Sequence, residues 1–424
     1  MRISRLSCAV TLASCLALSA CQSQPPQPAQ STPSSTPVKV KMLWWGTQQE
    51  ERVLNDQIAG LGLDVEVEKV AADEVEDVLA ERVEAGDTPD IVRTLRPREV
   101  ETKELSMEWD FVDEAKAAAT DDGSLIAAPY DAAMTATYVN SEAFARAGVD
   151  VPPSGHPWRT WEHLIADAER VKDANGMSNA FAISNDPQTL AAFFGSYDNS
   201  LMGKNPLHVS FDGNTAVKSL KNLKGWVESG VLNADVFPKY VAPDPDSTPT
   251  PSPSASPSAT PKPFEPATAT ALQLFEQGKV PVVIVPARTP APSNSVRVDN
   301  PCQEVCGGLP QFSYLAALTS DGVASKVIEA LTSVDADSAR VQATGGLPVH
   351  PELIPQDVQD EEGLLGEYAR LSVQQMSSGI SPITAGLTDW PGEQIAKLLA
   401  DEATELEAAS QMREVLTKSV KAYE

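Results

Sequence analysis

Apolar and polar positions begin to alternate at Val38, and the pattern predicts an α/β protein. "VKVKMLWW" reads as a strand ending at Trp44 and Trp45, followed by Gly46 and a Glu-rich helix from Gln48. "LDVEVEKV" sets Val65, Val67 and Val70 against glutamates, a second alternating strand. "EVEDVLAERVEAG" has helical spacing and a glycine stop at Gly86, and "PDIVRTL" is a short buried strand. Strands alternating with helices imply βαβ units and a parallel sheet. After Tyr138 a second block begins. "NSEAFARAG" is a helix closed by Gly148, "TWEHLIADAERVKDANG" one capped by Thr160, and "NTAVKSLKNLKGWVESG" one ended at Gly230. "ATATALQLFEQGK" leads into "VPVVIVP", whose unbroken run of apolar residues predicts a strand covered on both faces. That strand stops at Pro286 and delivers Arg288 into a proline-bounded loop. The C-terminal thirty residues are strongly helical, and no internal repeat is visible.

Two segments break this pattern. Residues 242–266, "APDPDSTPTPSPSASPSATPKPFEP", are low-complexity and too poor in apolar side chains to fold; helix and strand resume afterwards, so they read as a surface insertion. Residues 1–20 carry Arg2 and Arg5 before an apolar run from Leu6 to Ala20, too short to span a bilayer: a signal segment. It ends "LSAC", which resembles a bacterial lipobox with Cys21 as the lipidated residue. The alternative is an ordinary secretory signal with an incidental cysteine. The proline-rich tether over residues 21–37 favours lipidation, since it would stand an anchored domain off the membrane. Membrane association is expected through that anchor alone.

Charge then narrows the partners. Lys and Arg number 32 against 59 Asp and Glu, a net charge of −27, and a surface so acidic repels nucleic acid and anionic membrane. Export leaves Cys302 and Cys306, spaced "CQEVC", and in an oxidising compartment they are expected to form a short-loop disulfide. A redox or metal site would need further ligands, and the four histidines lack ligand spacing. The chain has no phosphate-cradling glycine loop, HExxH or GxSxG, so neither an enzyme nor a cofactor is expected.

Taken in order, "KMLWWGTQQEERVL", "LAERVEAGDTPDIV", "AAPYDAAMTATYVNSEAFARAGV" with "TWEHLIADAERV", and "ATALQLFEQGKVPVVIV" resemble the bacterial extracellular solute-binding proteins of ABC importers, the family-1, mostly carbohydrate-binding group. The resemblance covers nearly the whole mature chain. It implies a two-lobed periplasmic-binding-protein-like fold of class II type, with a ligand cleft between discontinuous lobes. Lobe one would hold residues 38–129 and 286–333, lobe two residues 130–285 and 334–424. The implied function is a lipid-anchored, extracytoplasmic substrate-binding subunit at the cell membrane, closing on a sugar or sugar derivative and presenting it to ABC permease subunits. The alternative is a divergent ligand sensor or binding scaffold without transport, with an anionic ligand as one option.

Candidate ligand contacts follow. Trp44 and Trp45 end the first strand, where a doubly wound sheet places its crevice, and alternation predicts that they point to opposite faces. The family's usual device is a tryptophan stacked on a sugar ring. Gln48 and Gln49 at the helix start can donate to hydroxyls. Arg93 and Thr94 end the third strand; the arginine either faces the crevice or pairs on the surface with a carboxylate. By the resemblance, Tyr130 and Asp131 lie at the first crossing between lobes. Asn185, Asp186 and Gln188 occupy a second-lobe loop that also has the composition of an ordinary turn. Gly346 belongs to a loop that approaches ligand through its backbone. Trp161 and Trp226 are assigned to packing, and Trp390 to the cleft rim. Arg288 departs from the family, which places a tryptophan near that point. It would hold either an anionic part of the ligand or the opposite lobe.

Overall fold

Three parallel strands and an antiparallel pair form the larger of the two main sheets. The computed structural model describes residues 39–421, apart from residues 73, 108–109, 198–208, 210, 212, 243–263, 307, 309, 321, 355–367 and 369–391. The signal segment, Cys21, the tether, nearly all of the Pro/Ser/Thr segment and Trp390 therefore lie outside the described residues. In chain order, β1 (Lys39–Trp44), β2 (Asp64–Lys69) and β3 (Ile91–Thr94) pair in parallel around β1. A small hairpin of β4 (Thr120–Asp121) and β5 (Ser124–Leu125) precedes β6 (Ala128–Met134). Next come β7 (Ala136–Asn140), β8 (Phe181–Ile183), β9 (Lys239–Tyr240), β10 (Phe264–Glu265), β11 (Val282–Val285), β12 (Ser295–Val298) and β13 (Pro310–Ala317). The first sheet has the order β2-β1-β3-β13-β6, with β13 antiparallel to both neighbours; the second is β12-β7-β11-β8.

Each sheet has its own core. Trp44, Ile91, Phe111, Tyr130, Tyr314 and Ile328 belong to one; Phe144, Trp161, Phe181, Phe193, Val283 and Leu416 belong to the other. The helices that cover them start and stop where side-chain chemistry dictates. Thr160 accepts from the His163 amide to cap Trp161–Asn175, and Gly148 and Gly176 end their helices at positive φ. The C-terminal helical stretch divides into Gly392–Leu399 and Glu405–Lys421. Residues flanking the Pro/Ser/Thr segment pair with each other as β9 and β10, with Tyr240 and Phe264 ring centroids 5.5 Å apart, so the chain leaves and re-enters at one place.

The chain passes between the sheets at different points from those expected. Tyr130 and Asp131 lie within β6 of the first sheet, and the crossing falls at Thr135, between β6 and β7. The run from Ala127 to Tyr138 is buried almost throughout and carries no glycine or exposed polar break, so nothing in it marks where one sheet ends and the other starts. Nor does the chain return at Pro286. β12 comes back to the second sheet along the free edge of β7, and the return lies in residues 299–309. The helix Val334–Thr344, expected in lobe two, packs instead with the first core, where the Gln57 amide donates to the Ala336 carbonyl at 2.8 Å and Leu347 and Val349 are buried. Asn300 joins two crossings: it accepts from the Thr137 hydroxyl and donates to the Thr135 carbonyl, both at 2.9 Å. Cys302 and Cys306 are disulfide-bonded in the same return segment.

Candidate functional site

The C-terminal ends of β1 and β3 and the middle of β6 meet at one buried arginine. Arg93 is fully buried, and its guanidinium is engaged on every nitrogen. Nε donates to Ser313 Oγ (3.1 Å), Nη1 to the Trp45 carbonyl (2.5 Å), and Nη2 to Asp131 Oδ2 (2.6 Å) and Glu50 Oε1 (3.1 Å). Glu50 is also the third residue of a capping box: its other oxygen accepts from the Thr47 amide while Thr47 Oγ1 accepts from the Glu50 amide. Thus one carboxylate both starts the helix Gln48–Leu61 and helps neutralise a buried cation. Trp45 seals the group, its indole N–H donating to the Arg93 carbonyl at 2.8 Å and its ring centroid 4.0 Å from the guanidinium carbon.

Asp131 is the centre of the charge network. It accepts from Arg93, from the Ser313 hydroxyl, and from both terminal nitrogens of Arg288, Nη2 to Oδ1 at 2.7 Å and Nη1 to Oδ2 at 3.3 Å. Burial opposes its ionisation, but the guanidiniums of Arg288 and Arg93 outweigh burial and hold the carboxyl well below the usual aspartate range. Burial likewise works against charge on Arg93, and Asp131 and Glu50 more than compensate, pushing it up. Tyr130, beneath the network, is pushed up by burial.

Arg288 reaches Asp131 from the second sheet. Its backbone has φ of +69°, the left-handed region that a non-glycine residue seldom enters. The loop is held by Gln188, whose side-chain oxygen accepts from the Ala287 amide at 2.9 Å, and by a turn bond from Thr289 to the Pro286 carbonyl. Gln188 sits in the helix Pro187–Gly195, capped by Asp186, which accepts from the Thr189 amide at 3.0 Å. Burial raises Asp186. The relay runs from Asp186 and Gln188 through Arg288 and Asp131 to Arg93 and Trp45.

Above this floor opens a cavity of about 800 Å³. Its walls are the segment from Trp45 to Glu50 with Arg52, the residues Lys69–Ala72 after β2, the stretch Asp131–Ala133, Arg288, and Arg340 with Gly345–Leu347. Among these, Arg288 alone comes from the second sheet's side. Leu347 exchanges backbone hydrogen bonds with Ala132, which brings the Gly345–Leu347 loop alongside Asp131. Arg340 is buried against the Tyr130 ring at 4.1 Å and donates Nη2 to Asp337 at 2.8 Å.

Of the residues expected at the ligand, Trp45, Gln48, Gln49, Asp131, Arg288 and Gly346 line this cavity. The others are placed elsewhere. Trp44 is as buried as Trp45, since β1 is covered on both faces and alternation does not expose either ring. Thr94 is buried and its hydroxyl accepts from the Arg96 amide, a turn role. Arg93 and Tyr130 lie under the floor, and Asp186 and Gln188 act on the Arg288 loop. Lys69 and Arg340 were not anticipated. The position of Lys69 at the end of a parallel strand beside Trp44 was a usable signal, the same one that marked the tryptophans. Gly46 is required by close approach: a Cβ there would lie 2.4 Å from Trp44 Cη2 and 2.9 Å from Arg93 Nη1. Gly46→Ala is therefore expected to destabilise by about 1–3 kcal/mol through overpacking, read by denaturant unfolding; an unchanged midpoint would contradict the contact.

This arrangement, two α/β units with a polar cavity at the ends of parallel strands, is that of two-lobed binding proteins. The model for the bacterial extracellular solute-binding protein family matches residues 57–364, and the chain belongs to that family. The GacH receptor of Streptomyces glaucescens, solved unliganded and with acarbose, aligns with a TM-score of 0.64 at 16% identity over 91% of this chain and 99% of its own. The cyclic α-maltosyl-1,6-maltose binding protein of Arthrobacter globiformis aligns with a TM-score of 0.64 at 15% identity, covering 91% and 100%. Maltose-bound MalE3 of T. maritima aligns with a TM-score of 0.61 at 16% identity, covering 91% and 100%. No curated protein matches the chain in sequence. Family members are extracytoplasmic solute-binding proteins rather than enzymes. Among the described residues no group of three or more acidic, His or Cys side chains is placed to hold a metal, and no helix is long and apolar enough to cross a membrane.

Proposed function

We propose that this chain is the substrate-binding subunit of an ABC importer for a carbohydrate or sugar derivative, anchored through lipid on Cys21 to the outer face of the cell membrane. The observation that carries the reading is the cavity of about 800 Å³, large enough for a short oligosaccharide. It opens at the strand ends of a family whose members bind solutes. The aligned proteins bind acarbose, maltose and a cyclic maltosyl-maltose, which favours a saccharide here too. Capture needs only closure. Arg288 brings the second sheet's loop onto Asp131 of the first, and a ligand touching both sides would favour the closed arrangement that a permease recognises. Trp45, Gln48, Asp131, Arg288 and Gly346 would provide contacts, with Arg93 and Tyr130 supporting them from below.

Thermal unfolding of the full chain against a panel of linear and cyclic oligosaccharides, uronates and sugar phosphates tests this. A ligand present at 100 times its Kd adds about 2.7 kcal/mol, so a cognate sugar is expected to raise Tm by several degrees. A panel without a single stabilising sugar would overturn the reading.

A further inference from the structure

Over the whole chain acidic residues outnumber basic ones, 59 to 32, yet the cavity wall inverts that ratio. Its charged side chains are the cations Arg52, Lys69, Arg288 and Arg340 and the anions Glu50 and Asp131. A cleft carrying one sign of charge inside a surface of the other concentrates ligands of the surface's own sign.

Some of this charge is already compensated. Lys69 meets Glu51 at 2.6 Å, an exposed pair of small consequence, and Arg340 meets Asp337. Arg340, buried, and Arg288, half-buried, nevertheless keep a donor in reserve. Asp131 takes the end-on fork of Arg288, both Nη atoms, and Nη2 also reaches the Gln311 carbonyl at 3.4 Å. Its Nε is buried with no hydrogen-bond partner among the described residues. Arg340, 2% exposed, donates Nη1 to the Leu331 carbonyl and Nη2 to Asp337 and Tyr130, and its Nε is likewise without a partner. Arg52, at the rim, donates Nε to the Gln48 carbonyl and makes no ion pair among the described residues. Buried donors are nearly always satisfied, and here Arg288 and Arg340, each with an unpartnered Nε, both contribute to the wall of one cavity.

Trp45 points the same way. The Arg93 guanidinium lies 4.0 Å and that of Arg288 5.2 Å from its ring centroid, and the residue is 3% exposed. The aromatic surface that would stack on a neutral sugar is covered by the protein's own cations, and polar, cationic edges remain.

We propose that the ligand is an acidic saccharide, a uronate-type sugar whose carboxylate is received by the arginine-lined wall. This rests on the carbohydrate reading above. A single negative charge fits better than a phosphate dianion, because Glu50 and Asp131 share the wall and repel a second charge.

Calorimetric titration of the full chain with matched pairs tests the proposal: a trisaccharide with one terminal galacturonate against galactotriose, one with one terminal glucuronate against maltotriose, and the corresponding sugar phosphate beside each. In at least one pair the uronate is expected to bind more tightly than its neutral partner by about tenfold or more. That advantage should shrink as salt is raised from about 20 to about 300 mM. Arg288→Gln should reduce the uronate-to-neutral ratio by about tenfold. Arg52→Gln, exposed at the rim, should reduce it by about threefold and gives a second variant whose folding is not at issue. A neutral partner bound as tightly or more tightly would overturn the acidic assignment and leave the carbohydrate reading standing. A preferred sugar phosphate, or a ratio unmoved in both variants, would overturn the carboxylate assignment. Binding by no member of any series would overturn both readings together.

Discussion

Replacing Asp131 by asparagine is expected to cost about 3–5 kcal/mol of stability, the range for breaking a buried ion pair from one side. Two arginines depend on this carboxylate, and Arg93 has no access to water. Glu50 would remain at 3.1 Å, too little to offset the desolvation of Arg93, and Arg288 would lose the contact that draws the second sheet's loop to the first. Equilibrium denaturation measures the loss; a change below about 1 kcal/mol would show that the network is not stabilising in this sense. Acid titration supplies an independent check. The folded-state carboxyl lies below its ordinary value of 3.8, so its contribution is fully present above that value and is lost as pH falls through and beneath it. Wild-type stability should therefore drop more steeply than that of Asp131→Asn below about pH 4, and the two curves should converge. Parallel curves would mean that Asp131 is not the group responsible.

The same network marks the boundary between what was legible in the sequence and what was not. The buried strand β11 was plain from its four consecutive apolar residues, and the caps at Thr160 and Gly148 were plain from local spacing, because those features are decided within one turn or one strand. Arg93 was not. A cation at a strand end is ordinarily solvated, and its burial here depends on Glu50 and Asp131, 43 and 38 residues away. No local pattern encodes that complementarity. The crossing at Thr135 was hidden for a related reason: two strands buried in different sheets follow each other with no turn residue between them. For Arg288 the sequence left two roles open, a ligand anion or the opposite lobe. Its end-on fork holds Asp131 of the opposite sheet, and the residue also contributes to the cavity wall. Gln188 had been read as a ligand contact from its loop position; its place in the fold makes it the support for Arg288 instead.

Trp161→Ala should be the most damaging change outside the site, with a loss of about 3–5 kcal/mol. The indole is 1% exposed, and its ring centroid lies 5.2 Å from Phe193, 5.7 Å from Trp226 and 6.0 Å from Phe181. Its N–H donates to Ser196 Oγ at 2.9 Å, and its backbone amide donates to Gln303 inside the disulfide loop that returns the chain to the first sheet. Removing the ring takes out the centre of an aromatic cluster and leaves the Ser196 hydroxyl without this donor. The surrounding helices cannot close the space without moving the loop. Trp161→Phe keeps a six-membered aromatic ring but loses the fused pyrrole ring and its N–H, so a smaller loss of about 1–3 kcal/mol is expected. The difference between the two variants gives the contribution of the aromatic ring that phenylalanine retains. Because Trp161 belongs to the second core, the alanine variant should unfold that core at lower denaturant than the first. Hydrogen exchange would read this directly, with protection lost in β8 and β11 and retained in β1 and β3. Equal loss in both sets of strands would mean that the two cores fold as one cooperative unit, and the hinge would then have to be sought in the crossings at Thr135 and residues 299–309 alone.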